Sequence, residues 1–186
     1  MRRKKKRELF FDLFELAAPV AREPVGVDAA GLDRVQLART GARIVLKMVL
    51  EDGCFHADPH PGNLRVTDDG RLAIFDLGMV GHVPPRLRER LLKGLFAAVD
   101  GRGEEVADEI IGISTRLEDY NEERYLRETG QMVARYAANS AMSEGRIVLE
   151  IVRIATFCGL RTPPELTILG KALLSLESVC QTLAPD

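Results

Sequence analysis

One stretch constrains this chain more than any other: a helix-period apolar run, a glycine, a loop dense in histidine, aspartate and proline, and then a hairpin signal. Val35, Leu37, Ala38, Ala42, Val45, Leu46, Val49 and Leu50 recur at spacings of three and four, which predicts a helix from Leu32. Gly53 is placed to stop it, as the residue after a helix C-cap that tolerates left-handed backbone. Apolar residues cover most of the helix circumference, so the helix is expected to be buried. The loop His56-Ala-Asp58-Pro-His60-Pro-Gly-Asn63 is expected to follow directly. Two short strands come next, Leu64-Arg-Val66 and Arg71-Leu-Ala-Ile-Phe75, with Asp68-Asp69-Gly70 as the turn between them. Asp76-Leu77-Gly78 sits just past the second strand.

These residue types in this order suit one chemistry. Phosphoryl transfer needs in-line positioning and cations that neutralise developing charge. Asp58 lies in a loop, where a carboxylate can accept or orient the proton of a nucleophile. Asn63 can offer an amide oxygen to a metal, and Asp76 a hard carboxylate to Mg²⁺. A lone aspartate after a helix is usually a cap, and D-x-G is common. The combination of helix, HxDxxxxN, hairpin and DxG is specific, because a motif counts when its structural context matches.

The protein-kinase pattern is H-R-D-x-x-x-x-N followed by D-F-G. Here His56-Ala57-Asp58 stands for the first triplet, Asn63 keeps the spacing, and Asp76-Leu77-Gly78 stands for the second. The word Ala57-Asp-Pro-His-Pro-Gly-Asn63 narrows the likeness further. It resembles the UbiB-like atypical kinases, also called the ADCK or AarF/UbiB group. The likeness runs from about Gly26 to Pro185 and includes Phe75-Asp-Leu-Gly-Met-Val-Gly81, the Leu-Arg-Glu-Arg helix start near Arg88, and Leu166 to Leu183.

That resemblance implies a mainly α fold with a small β-hairpin: the C-terminal lobe of a protein-kinase-like domain, over residues 32–186. It implies ATP with Mg²⁺ as cofactor, Asp58 as catalytic aspartate, and Asn63 and Asp76 as metal ligands. His60 and Gly78 join Asn63 and Asp76 as cofactor-binding candidates. Members of the group often support ubiquinone or other prenyl-lipid biosynthesis at a membrane, so a membrane surface or prenyl-lipid partner is implied as well. The sequence departs from the group in lacking a Lys-x-Gly-Gln tetrapeptide. The residues before Leu32 are also too few for the lobe that carries the nucleotide loop, the strand lysine and its glutamate. The expectation is therefore a truncated lobe, inactive alone, or one piece of a split enzyme whose N-lobe is separate.

The remaining candidates carry structural readings. By analogy with the kinase architecture, His56 braces the loop. His60 contacts phosphate or caps the loop. Pro59, Pro61 and Gly62 fix loop geometry. Leu77 replaces the usual phenylalanine and is expected to keep an apolar anchor. Met79 and Val80 are expected in the core, and His82 in a surface loop.

After Pro84-Pro85, which suits a first helical turn, helices are expected over 85–100, 103–114, 119–140, 144–158 and 164–183. Residues 1–31 read as a basic tail and linker, with six consecutive basic residues from Arg2 to Arg7 and a short apolar segment at Phe10, Phe11, Leu13, Phe14 and Leu16. The net charge of −2 and the absence of tryptophan argue against nucleic acid as a partner. Three scattered cysteines without a CxxC pair argue against a disulfide framework or a zinc site and for a reducing compartment. The localisation expected is cytoplasmic, peripheral to a membrane, and not secreted. Three other readings stand beside the leading one. They are a non-catalytic interaction module, a small-molecule phosphotransferase like the aminoglycoside and choline kinases, and a metal-dependent hydrolase on His56-x-Asp58-x-His60.

Overall fold

Among the described residues, apolar periodicity and capping chemistry build six α-helices with three small two-stranded sheets between them. The structure, a computed structural model, describes residues 33–67, 71–138 and 143–183. The basic tail, the apolar segment from Phe10 to Leu16, and the Asp68-Asp69-Gly70 turn lie outside the described residues.

Helix α1 spans Arg34–Lys47 and starts at Asp33, whose side chain accepts the Gln36 backbone N–H at 3.0 Å. A π-turn, Met48–Asp52, extends it to Gly53. The helix is less enclosed than its apolar content suggests. Leu37, Gly41 and Val45 are buried, while Val35 and Leu46 are about half exposed. One face packs on the C-terminal helix.

A strand then intervenes where the sequence suggested none. β1, Cys54–His56, pairs antiparallel with β4, Val80–His82, in the register Cys54–His82, Phe55–Gly81 and His56–Val80. The predicted hairpin forms as β2, Leu64–Val66, against β3, Leu72–Ile74. Helix α2, Pro85–Val99, begins with proline in its first turn, where the missing N–H costs nothing. Helices α3 (Gly103–Ile111), α4 (Glu122–Ala138), α5 (Glu144–Phe157) and α6 (Pro164–Leu183) complete the bundle. Asn121 caps α4 by accepting the Arg124 N–H at 2.9 Å, so that helix starts later than expected. A two-residue bridge, β5 (Thr115–Arg116) with β6 (Leu160–Arg161), also has no signal in the sequence. The small hairpin expected from the sequence is thus one of three small sheets among the described residues, and the fold is mainly helical as expected.

One continuous apolar core joins the β1/β4 ribbon to the bundle. Phe55, Val83, Leu87, Val106, Tyr125, Met132, Ile151, Leu160 and Leu166 belong to it. Phe55 is fully buried, and its ring lies so close to Gly81 that a Cβ there would fall 2.3 Å from it. Only glycine fits that position, and the contact ties the ribbon to the core. A smaller cluster of Leu37, Val66, Val179 and Leu183 lies between α1, the hairpin and α6.

Candidate functional site

Each candidate site residue sits at the end of a strand or in the loop that follows one. His56 closes β1, Asp58 and His60 lie in the loop after it, and Asn63 ends a short 3₁₀ turn, Pro61–Asn63. Asp76 follows β3. Strand ends fix backbone position through their ladders, so the site is set by the sheets although its residues are in loops.

His56 is the hub. It is buried, with 2% of its surface exposed. Its Nδ1 accepts the Asp58 backbone N–H at 3.1 Å. With that nitrogen an acceptor, Nε2 carries the proton and donates to the backbone oxygens of both Phe75 and Asp76, each at 2.9 Å. That fixes the tautomer. Asn63 closes the circuit. Its Nδ2 donates to the Asp58 carbonyl at 3.0 Å, and its own carbonyl accepts the Phe75 N–H at 2.8 Å. The result is a ring of hydrogen bonds running from Asp58 through His56 to Phe75 and Asp76, then back through Asn63. Two segments far apart in sequence, the loop from His56 to Asn63 and the Phe75–Asp76 step, are locked together, and the carboxylates of Asp58 and Asp76 are left out of the ring. His56 thus braces the loop, as expected from the sequence.

Asn63 is nearly buried. Its amide nitrogen is committed to Asp58, which leaves Oδ1 as the acceptor it can present. Asp76 has φ of 54°, and among the described residues it is the non-glycine with positive φ. A side chain in that region is strained, by about 1–3 kcal/mol, and strain of this kind concentrates where geometry serves a function. Its Oδ1 accepts the Gly78 N–H at 3.1 Å, holding the turn and leaving Oδ2 for another partner. Gly78 contributes that backbone N–H. His60 is exposed, with its Nδ1 on the Gly62 N–H at 2.9 Å and its Nε2 3.7 Å from Oδ2 of Asp58. It caps the loop and stands beside the aspartate at once, so capping and phosphate contact are both open to it.

Three expectations are corrected by the structure. Met79 and Val80 are 58% and 44% exposed, so they are not core residues. Leu77 is 40% exposed, and it belongs to neither apolar cluster of the described residues. The apolar character of these residues is real, but the described chain does not cover them. His82 is exposed, as expected, but it lies in β4 and not in a loop. Among the described residues no group of three or more histidines, cysteines, aspartates or glutamates stands ready to hold a metal. The residues that sequence reasoning missed are the ones that hold the site. They include Phe55 beneath it and Met79, whose carbonyl accepts the Ala57 N–H at 3.0 Å.

Two family models cover most of the chain. The ABC1 atypical kinase-like domain matches residues 22–110, and the UbiB helical domain matches residues 131–186. The chain belongs to the ABC1/UbiB family of atypical kinases. The first of these domains contains every candidate site residue. An uncharacterized protein of Synechocystis is 32% identical over 86% of this chain and 28% of its own length. The chloroplastic protein Activity of BC1 complex kinase 8 of Arabidopsis thaliana is 42% identical over 40% of this chain and 10% of its own. Activity of BC1 complex kinase 1, also chloroplastic and from Arabidopsis thaliana, is 26% identical over 88% and 24%. The chain spans about a third or less of the length of each of these relatives. No helix among the described residues is long and apolar enough to cross a membrane.

Proposed function

We propose that this chain supplies the base and the metal-ligand side of an ATP- and Mg²⁺-dependent phosphotransferase or ATPase site of UbiB type. The observation that carries the reading is the hydrogen-bond ring through His56, which holds Asp58, Asn63 and Asp76 together while leaving their ligand oxygens available. The donor set suits the ion. Mg²⁺ takes hard oxygen ligands, usually one or two from protein, with phosphates and waters completing its shell. A carboxylate from Asp76 and an amide oxygen from Asn63 are such a pair, so a larger cluster of acidic residues is not required.

When bound, Mg²⁺-ATP supplies the transferable phosphoryl group and the cation that neutralises its charge. The chain's own residues do the rest. Asp58 accepts the proton of the attacking hydroxyl. His56 holds the Asp58 backbone, so the carboxylate cannot swing with its loop. Asn63 and Asp76 would hold the metal. His60, whose Nε2 lies 3.7 Å from Oδ2 of Asp58, would meet a phosphate oxygen. The natural setting on this reading includes a nucleotide-holding lobe, in the same or another chain, and a prenyl-lipid or ubiquinone-linked role at a membrane surface.

A second reading, a non-catalytic interaction module, draws on the exposed apolar residues Phe75, Leu77, Met79 and Val80 beside the site. Thermal melts by far-UV circular dichroism separate the two. Mg²⁺-ATP should raise the melting temperature of the wild-type chain and leave Asp76→Asn unmoved. A wild-type melt indifferent to Mg²⁺-ATP would turn the balance to the interaction module.

A further inference from the structure

The ribbon that carries His56 and Asp58 is anchored at its far end by a side chain from α2. Helix ends leave their last carbonyls without intrahelical partners. After the π-turn, Gly53 has φ of 66° and its N–H returns to the Met48 carbonyl. The Glu51 carbonyl is satisfied from outside: Arg88 Nη1, on the first turns of α2, donates to it. The same guanidinium covers Gly53. A Cβ built there would lie 3.4 Å from Arg88 Nη1 and 2.8 Å from the Val83 carbonyl oxygen. Val83 in turn donates to the Gly53 carbonyl at 2.9 Å, immediately before the β1/β4 ladder begins.

Arg88 is half-buried, and among the described residues it makes no ion pair. Its neighbours on α2 do otherwise: Arg90 pairs with Glu109, and Lys93 with Glu89. Arg88 is thus committed to a backbone oxygen. Charge-assisted bonds of this kind are about twice as strong as neutral ones. From the clamp the ladder runs through Phe55–Gly81 to His56–Val80, then to the Ala57–Met79 bond and the bond from Asp58 to His56. A one-residue slip of such a short ribbon would turn His56 to the opposite face.

We propose that Arg88 is a positioning residue, which fixes the register of the β1/β4 ribbon and through it the place of His56 and Asp58. The consequence for phosphoryl transfer rests on the function proposed above; the mechanical role does not.

The test is amide hydrogen exchange, read residue by residue by NMR, on the full chain and three variants. Arg88→Met keeps the length and removes the donor, and Arg88→Lys keeps a donor. Gly53→Ala attacks the same clamp from its other side. Arg88→Met and Gly53→Ala should speed exchange at Ala57 and Asp58 by about tenfold or more, while amides in the middle of α5 and α6 change by less than about twofold. Arg88→Lys should restore most of the protection at Ala57 and Asp58. Unchanged exchange at Ala57 and Asp58 in Arg88→Met would overturn the proposal. So would equal acceleration throughout the chain, or a failure of lysine to rescue. Mg²⁺-ATP titration of the wild type is read separately: no binding there retires the proposed function, while the role of Arg88 is decided by the exchange rates alone.

Discussion

The helical bundle and the strand-loop region are held by different forces. In α3 to α6, fully buried apolar side chains hold the elements together: Val106, Met132, Val133, Ala155 and Leu166 are all nearly inaccessible. Around the site, Phe55 is the main apolar anchor, and position is set by hydrogen bonds between side chains and backbone. Apolar packing tolerates small shifts, since dispersion and area terms vary smoothly. A hydrogen-bonded ring does not, because each bond depends on distance and angle. The exposed apolar residues follow the same division: Phe75, Leu77, Met79 and Val80 border the ring, and large exposed apolar patches mark surfaces that meet something else.

The largest expected effect is at the joint between the two regions. Phe55→Ala should cost about 3–5 kcal/mol in chemical denaturation, in the range for a buried aromatic truncated to alanine. It should also remove any response to Mg²⁺-ATP. Leu166→Ala, in the bundle alone, should cost a comparable 2–5 kcal/mol or so and spare that response in whatever fraction stays folded. If Leu166→Ala disturbed the site as much as Phe55→Ala, the two regions would not be separable.

His56→Ala removes the hub. Three hydrogen bonds disappear, two of them to backbone oxygens that share one donor. A loss of about 2–3 kcal/mol is expected, with exchange at Asp58 accelerated more than exchange anywhere in α5. Uniform acceleration would contradict the ring.

Asp76→Gly sharpens the comparison, because stability and function should move in opposite directions. Glycine accepts φ of 54° without penalty, so the variant should be more stable by about 0.5–1 kcal/mol, net of the lost bond to Gly78. The shift in melting temperature produced by Mg²⁺-ATP should vanish. A destabilised variant would mean that Asp76 serves the fold and not a ligand.

The smallest effect is a pH dependence in the bundle. Burial pushes the Tyr125 phenol above its ordinary value of 10.0. The folded state therefore favours the protonated, neutral form. Its contribution is fully present below the unfolded value and declines as pH rises beyond about 10, by about 1.4 kcal/mol per pH unit until the folded phenol ionises. Tyr125→Phe should leave neutral-pH stability within about 1 kcal/mol and flatten that alkaline decline. Alkaline denaturation curves of the two proteins check it.

How far the sequence could be read follows from the same division. The helices were legible because a 3.6-residue period extends over many residues and because Pro85 and Pro164 mark starts while Gly53 marks a stop. The β2/β3 hairpin was legible from its turn residues. The candidate site residues stand out by spacing, since HxDxxxxN and DxG are local words. The β1/β4 ribbon was not: three residues carry no usable alternation, and the partner strand lies beyond the whole hairpin. Nor could the strands reveal that Met79 and Val80 are exposed, because apolar composition does not say whether a neighbour is there to cover it. The strained backbone of Asp76 and the hold of Arg88 on Glu51 depend on tertiary geometry and leave no trace in spacing.

The most direct measurement replaces Mg²⁺ by paramagnetic Mn²⁺ with ATP and maps line broadening across the assigned amide spectrum. Broadening centred on Asn63 and Asp76, reaching Asp58, and lost in Asp76→Asn would establish that the ring presents a metal–nucleotide site. Broadening centred elsewhere, or unchanged in Asp76→Asn, would contradict it.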